Sequence, residues 1–598
     1  MRDYATRDPG KAVPHLYAVA ESAYRGATLD TMLYPCSQQA VVVSGESGAG
    51  KSVAVKLLSE YLAWRATQQI DGIEAREVGK EVGRVLLLCR PALEAFGNSA
   101  TAHNHNSSRF CKFISIGMVG GQFDAVSITT YLLERSRIVH HDPSTERNFH
   151  VFYWLLQAGQ PVERGLLGDG AEPHDFAYLG GAQAAPVTAQ ERESAKEKLD
   201  ELRTSLEAIG IPLDEQPRIF TLVVAVLHLG NISFEVDGSG SGSRIVDDRP
   251  LALAAHGLGV EAATLAKYLT KKPMADRASQ RSSRASLEDG MTEDTLLKLF
   301  SPIEASRCRD SLAKALYGHL FAWLVRKMNA ALAAVRPRPA EGTPKAFVGS
   351  PLHHSTRSSI AEGNSIGLLD IFGFESFAIN SFEQLCINYA NEQLHQLFVH
   401  TIFTNERAIH LAEGVPFPRL TLPDADAAIR AIAAKPVGVL WLLDSATRQP
   451  GSAESAFFIT VNREAERTQV SEEARVLPLP KRLRVEDAFV ISHFAGEVTY
   501  TAGGVSAPTW LDKNNSSLVH ELHQTMLGSD APLVQQLFLQ GGFGANRRGS
   551  SLADVEDEGS QGAYSSPRLS ETRFSFNEQS PPYGRGSFGS AKRLEVES

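Results

Sequence analysis

The apolar run Val41-Val42-Val43 leads through Ser44 into Gly45-Glu46-Ser47-Gly48-Ala49-Gly50-Lys51-Ser52, and a helix-forming stretch follows to about Ala66. A short strand, a loop of pattern G-x-x-x-x-G-K-S and a helix, in that order, make a Walker A phosphate loop in its proper setting. No other feature restricts the fold as strongly. The glycines let successive backbone N–H groups converge on phosphate oxygens. The helix that starts near Ser52 adds the positive end of its dipole. In that setting Lys51 reaches the β- and γ-phosphates, and the Ser52 hydroxyl is a ligand for Mg2+.

The rest of the chain is large enough to build a full domain around such a loop. It has 598 residues, 43% of them apolar, and a formal net charge of -10, which does not favour general nucleic-acid binding. Cys36, Cys89, Cys111, Cys308 and Cys386 are scattered without metal-ligand spacing, as suits a reducing compartment. The N-terminus carries no apolar signal region, and no stretch is long and apolar enough to span a bilayer, so a cytoplasmic protein with no transmembrane segment is expected.

Local signals place further elements. Lys112–Met118 and Ala125–Leu133 read as two strands joined by a hairpin at residues 119–122. Ser194–Asn231 and Asp310–Val335 read as mostly helical, Gly238–Ser243 as a flexible Gly/Ser loop, and Arg336–Asn364 as a disordered insertion. Ser365–Ile371 reads as a second buried strand. From Ser381 to about Asn405 a long helix is expected, with Phe382, Leu385, Cys386, Tyr389, Leu397, Phe398 and Ile402 mostly on one face. At 1.5 Å per residue it reaches roughly 35 Å. Residues 541–598 are dominated by Gly, Ser, Arg, Glu and Pro and are read as a disordered low-complexity tail.

Two further segments bear on the phosphate. Asn104-His105-Asn106-Ser107-Ser108-Arg109-Phe110 is polar, precedes a strand, and carries two hydroxyls and a guanidinium. Asp370-Ile371-Phe372-Gly373-Phe374-Glu375 ends the second buried strand with an acid, the usual Walker B arrangement for holding Mg2+. Gly373 can bring an N–H close to a γ-phosphate.

With the phosphate loop, these segments resemble the P-loop, switch I and switch II of the myosin motor domain, in the right order and at roughly the right separation. Further similar pieces are Pro14–Ala20, Leu93–Asn98, Tyr131–Arg137, Glu146–His150, Ala315–Gly318, Asn380–Glu392, His493–Val498 and Lys513–Asn515, so the likeness runs to about Phe538. Kinesins share the logic but have a different switch II.

The resemblance implies an α/β fold. Its centre is a P-loop NTPase core of the myosin motor type, with a central, mostly parallel twisted sheet flanked by helices and with helical upper and lower actin-binding subdomains. It implies ATP and Mg2+ as ligands. Gly45, Glu46, Ser47, Gly48, Ala49, Gly50, Lys51, Ser52 and Asn104 are then nucleotide-binding residues. Ser52 and Ser108 ligate Mg2+, with Asp370 in its outer shell. Ser107 and the Gly373 N–H position the attacking water and γ-phosphate, and Arg109 with Glu375 forms a salt bridge that closes the site. Closure at Gly373 then tilts the helix from Ser381. Residues 441–462 resemble a helix-loop-helix of the actin-binding face. Asp310-Ser311-Leu312-Ala313-Lys314 resembles an anchor sequence that makes Asp294, beside Glu293, a permanently acidic regulatory site on that face.

The sequence departs from the family pattern at Cys111, where glycine is usual. The family's N-terminal subdomain and adenine-holding Asn-Pro segment are expected before Pro14 and do not occur in the chain as given. The tail at 541–598 stands where the family has a variable actin-contact loop, and the converter and light-chain lever expected after it are not in this sequence. With seven Arg or Lys against eight Asp or Glu, that tail steers actin weakly. The expectation is a motor-like region at 1–540 with actin-dependent ATP hydrolysis coupled to movement, acting in the actin cytoskeleton, the chain as given being an incomplete motor without light chains. Alternatives are a nucleotide-binding, actin-associated scaffold without force output and a P-loop ATPase acting on another substrate. The strand at Ala40–Ser44 is expected at an exposed sheet edge, and the chain alone is expected to be poorly stable and not to generate movement.

Overall fold

The computed structural model of the chain describes residues 1–6, 13–28, 38–46, 48–68, 73–119, 121–168, 170–238, 240, 242–273, 297–335, 364–417, 425–449, 453–467, 476–480, 483–502, 508–514 and 517–540. The expected insertion at 336–363, the acidic pair Glu293 and Asp294, Ser47 and the tail at 541–598 lie outside them.

The strands are, in chain order, β1 (Gln38–Val43), β2 (Asn98–Thr101), β3 (Asn104–Ser108), β4 (Cys111–Val119), β5 (Gln122–Tyr131), β6 (Phe234–Val236), β7 (Ser243–Ile245), β8 (Lys271–Pro273), β9 (Leu297–Leu299), β10 (Asn364–Asp370), β11 (Ala488–His493) and β12 (Gly496–Thr501). The main sheet has four described strands in the order β1-β10-β4-β5. β10 lies inside it, paired with β1 on one side and β4 on the other, and its residues Ile366 and Leu368 are fully buried. Gly367 lets it run against β4, since a Cβ there would lie 2.7 Å from the Phe113 ring.

The expectation of a mostly parallel sheet is corrected for the described residues. β1 pairs with β10 in parallel, but β10–β4 and β4–β5 are antiparallel. The reason is local. β4 and β5 form a hairpin in which Val119 already pairs with Gln122, too close in sequence for parallel pairing. β1 and β10 are separated by long helical connections, which parallel pairing needs. The P-loop strand β1 is one of the two edge strands among the described residues, with Val42 40% exposed.

The hairpin, the strand at β10 and the helical reading of 194–231 and 310–335 all have counterparts. The helices there are Ala189–Ala208, Gln216–Asn231 and Pro302–Ala334. The last begins earlier than expected because Ser301 and Glu304 form a capping box with Pro302 in the first turn. Of the Gly/Ser segment, Gly240 and Gly242 lie between the antiparallel strands β6 and β7, the Gly240 N–H donating to the Asp237 carbonyl at 3.1 Å.

The long helix is Phe382–Val399, continued by a π turn at His400–Thr404 and a further helix, Asn405–Ala412. Its apolar face is only partly covered. Leu385 is fully buried, but Leu397, Phe398 and Ile402 are exposed, Phe398 at 55%. The apolar stripe is therefore covered only over the first turns, and the extra residue of the π turn shifts its phase further along.

A large core surrounds the sheet and the Pro302–Ala334 helix. A second gathers Leu443, Phe457, Phe458, Phe489, Tyr500 and Trp510 between the helical pair Val439–Arg448 and Glu454–Arg467 and the β11–β12 hairpin. The Asp310–Lys314 anchor lies on the Pro302–Ala334 helix, with Leu312, Ala313 and Lys314 buried. Among the described residues no helix is long and apolar enough to cross a membrane.

Burial makes this core acid-sensitive. It lowers the pKa of His141 to about 3, with Arg137 and His140 adding to the effect. Burial likewise lowers His150 and His319 to about 4. Above pH 6.5 these rings are neutral in both folded and unfolded chains. Below it the unfolded chain takes up protons that the folded chain refuses, so stability falls as pH falls from about 6.5 toward 3. Both His141 ring nitrogens are buried without a hydrogen-bond partner. His141→Leu is therefore expected to flatten the fall by up to about 1.4 kcal/mol per pH unit, read from thermal midpoints between pH 7 and pH 4. A parallel decline in variant and parent would refute this assignment.

Candidate functional site

The loop between β1 and the Lys51–Ala66 helix carries the phosphate-binding pattern. Gly48 and Gly50 have φ values of 86° and 88°, a conformation that side chains with a Cβ rarely adopt. The Ala49 N–H donates to the Glu46 carbonyl, which tightens the loop. Lys51 bends back over it, its Nζ donating to the Gly45 carbonyl at 2.9 Å and to the Glu46 carbonyl. Burial lowers the Lys51 pKa, against the pull of Asp370, Glu375 and Glu46, which favour its charge. Three acids thus lie within electrostatic reach of this ammonium.

The carboxyl end of β10 meets the start of this helix. The Ser52 Oγ donates to Asp370 Oδ2 at 3.2 Å, across 318 positions of sequence. Lys112, register partner of Asp370 on β4, places its Nζ 3.5 Å from the same oxygen. Ser108 ends β3, opposite Asn98 on β2. The Asn104 side-chain oxygen accepts from the Asn106 N–H at 2.9 Å, a local turn within the first polar segment. Asn106 is held in turn by Asn98, His150 and Glu94.

Arg109 and Glu375 meet as expected. Arg109 Nη1 donates to Glu375 Oε1 at 2.7 Å and Nη2 to Oε2 at 3.3 Å, a two-pronged pair in which both side chains are buried. Nη1 also donates to the Ser107 Oγ at 3.2 Å. Gly373 is buried between Asp370 and Glu375.

Sequence reasoning missed a second acid. Arg109 Nε donates to Glu134 Oε2 at 2.6 Å, and the Glu134 N–H donates to the Arg109 carbonyl at 2.9 Å. Arg137 binds the same carboxylate and continues to Glu146 at 2.8 Å. Burial alone would raise the Glu134 pKa, but Arg109 and Arg137 outweigh it and hold it at about 2. The segment Tyr131–Arg137 is legible as a resemblance, yet nothing in it says which of its charges faces Arg109.

Glu375 is gripped from the helix that follows. Asn388 accepts from the Glu375 N–H at 2.9 Å and donates to the Glu375 carbonyl at 2.8 Å. The same amide donates to the Tyr500 hydroxyl, which also meets His493, and His493 meets Glu392 at 2.8 Å. A buried polar chain thus runs from Glu375 to the β11–β12 hairpin.

A family model described as myosin head (motor domain) matches residues 1–572. The chain belongs to the myosin head family. It is similar to unconventional myosin-Ic of Mus musculus, 35% identical over 550 residues, which cover 90% of this chain and 46% of the relative. It is also similar to myosin-I heavy chain of Dictyostelium discoideum, 32% identical over 90% of this chain and 20% of the relative. A third relative is myosin-5 of Arabidopsis thaliana, 34% identical over 90% of this chain and 31% of that protein. The chain spans about half or less of the length of these relatives.

Motor domains of this family work with a nucleotide and Mg2+. In this myosin head the donors present fit a hard cation held chiefly by water and phosphate. They are hydroxyl and carboxylate oxygens, and among the described residues there is no His/Cys/Asp/Glu cluster able to cage an ion by itself.

Proposed function

We propose that this myosin head hydrolyses MgATP at the phosphate loop, that actin filaments accelerate the turnover, and that the cycle drives movement along them in the cytoplasmic actin cytoskeleton. The observation that carries the reading is the bidentate Arg109–Glu375 pair. It joins the polar segment after β3 to the segment after β10, beside the loop that holds Lys51 and Ser52.

In this reading Lys51 and the N–H groups of residues 45–52, with Asn104, hold the phosphates. Ser52, Ser108 and Asp370 hold Mg2+, which when bound neutralises phosphate charge. Ser107 orients the attacking water, and the Gly373 N–H faces the γ-phosphate. Arg109 and Glu375 close the site behind it and keep bulk water out. Phosphoryl transfer needs little else than positioning and charge stabilisation. Asn388 would carry the opening and closing of Glu375 into the helix from Phe382, because it grips both backbone polar groups of that residue. The helical pair Val439–Arg448 and Glu454–Arg467 is assigned to the actin-facing side.

The test is steady-state MgATP hydrolysis with and without filamentous actin, alongside co-sedimentation. Actin is expected to raise turnover severalfold, and MgATP to release the chain from filaments, as expected where product release limits the cycle. Co-sedimentation that ignores nucleotide, without hydrolysis, would favour the scaffold alternative. Hydrolysis indifferent to actin would favour another substrate.

A further inference from the structure

We propose that Glu134 is a positioning residue of this site: it holds Arg109 in register so that Glu375 can dock and undock against a resident cluster that is already neutral. The inference rests on the hydrolytic reading above and extends it to how the latch reopens.

The geometry divides the Arg109 guanidinium between two acids. Its two terminal nitrogens face Glu375, and its Nε faces Glu134. Glu375 comes from the segment after β10, the part the reading requires to move. Glu375 is anchored to the helix that follows it, through Asn388, whereas Glu134 is anchored to the Arg109 side of the pair. The Glu134 N–H is tied to the Arg109 carbonyl, and its carboxylate is clamped by Arg137 at 2.8 and 3.3 Å.

Backbone strain marks the same place. Leu132, between β5 and Glu134, has φ 54°, and it is the only non-glycine residue with positive φ among the described residues. A left-handed turn at a leucine is unfavourable and persists where its surroundings require it. Here it ends β5 and brings Glu134 under Arg109.

The charge count gives the consequence. Arg109, Glu134, Arg137 and Glu146 form a chain of alternating sign, two cations and two anions. When Glu375 leaves, Arg109 is not stranded as an unpaired buried cation, which would be strongly destabilising. When Glu375 docks, it meets a guanidinium already shared, so its hold is weaker than that of an exclusive pair. Glu134 thus makes the closure reversible.

The experiment uses the full chain and follows phosphate formation by rapid quench. Glu134→Gln is expected to keep the first-turnover burst and to slow steady-state turnover by about tenfold, because Glu375 then has Arg109 to itself and reopens slowly. Glu375→Gln is expected to lose the burst. Glu134→Asp, which keeps the charge, should recover most of the steady-state loss. A Glu134→Gln chain that loses its burst, or that turns over like the parent, overturns the proposal. So does a Glu134→Asp chain as slow as Glu134→Gln.

A second measurement covers a Glu134→Gln chain that fails to fold, or a parent that shows no hydrolysis. The latter result would sink the hydrolytic reading alone. Because Glu134 remains to compensate Arg109, Glu375→Gln should shift the thermal midpoint by less than about 3 °C. A fall of more than about 10 °C would show that Arg109 depends on Glu375 and overturns the role given to Glu134.

Discussion

Replacing Lys51 by alanine is expected to weaken MgATP binding by roughly 150-fold, or about 3 kcal/mol, and to do so without unfolding the chain. The Lys51 ammonium is partly desolvated, and its charge is favoured by Asp370, Glu375 and Glu46. Its present partners are the carbonyls of its own loop, at Gly45 and Glu46. Those are neutral acceptors, whereas phosphate oxygens are charged, so the bonds that Lys51 exchanges on binding become stronger ones. Alanine removes them and leaves the phosphate charge to N–H groups and Mg2+. It keeps the helical backbone, since alanine is the best helix former and position 51 opens the Lys51–Ala66 helix. Titration with a fluorescent ATP analogue, with thermal melts as the control, measures the effect. A dissociation constant within about threefold of the parent's would mean that this loop is not the nucleotide site.

Charge reversal at the latch should act on the chemical step instead. Arg109→Glu or Glu375→Arg alone is expected to cut hydrolysis by about 100-fold or more while nucleotide binding stays near the parent's value. The two changes differ in a way the pair alone does not suggest. Glu375→Arg sets two guanidinium groups face to face. Arg109→Glu places a carboxylate beside both Glu375 and Glu134 and strips Ser107 of its donor. The arginine change should therefore be the more damaging to stability. The double reversal should recover part of the activity, as coupled residues do. Recovery stays partial because the carboxylate introduced at position 109 still faces Glu134, and adding Glu134→Gln should improve it. Quench-flow and equilibrium binding on the singles, the double and the triple separate these effects. Equal loss in both singles and the double would mean that the two residues act independently.

Much of the site can be read in advance because its signals are local. The phosphate loop declares itself by glycines at fixed offsets between an apolar strand and a helix. The β4–β5 hairpin follows from two β-rich runs around Gly120-Gly121. The motifs of Asp370 and Ser52 lead to the expectation that both serve one ion, and the two side chains are hydrogen-bonded to each other. The Arg109–Glu375 pairing follows from the resemblance, and those two residues do meet, 266 positions apart.

What sequence alone determined, then, is what neighbouring residues decide: turns, periodicity, and the order of the segments expected to face phosphate. Only the tertiary structure decided how β10 pairs, parallel to β1 on one side and antiparallel to β4 on the other, since an apolar run has the same pattern whichever way its neighbour points. Only it showed that Phe398 and Ile402 face outward, because periodicity gives a face but not what covers it. The second acid on Arg109 belongs with these. Glu134 stands 25 positions from it, among other charges, and reaches it because β5 pairs with β4 in one register and Leu132 takes a left-handed turn. Partners of a buried charge are chosen by where the backbone delivers them, and that is set by long-range pairing that no local pattern encodes.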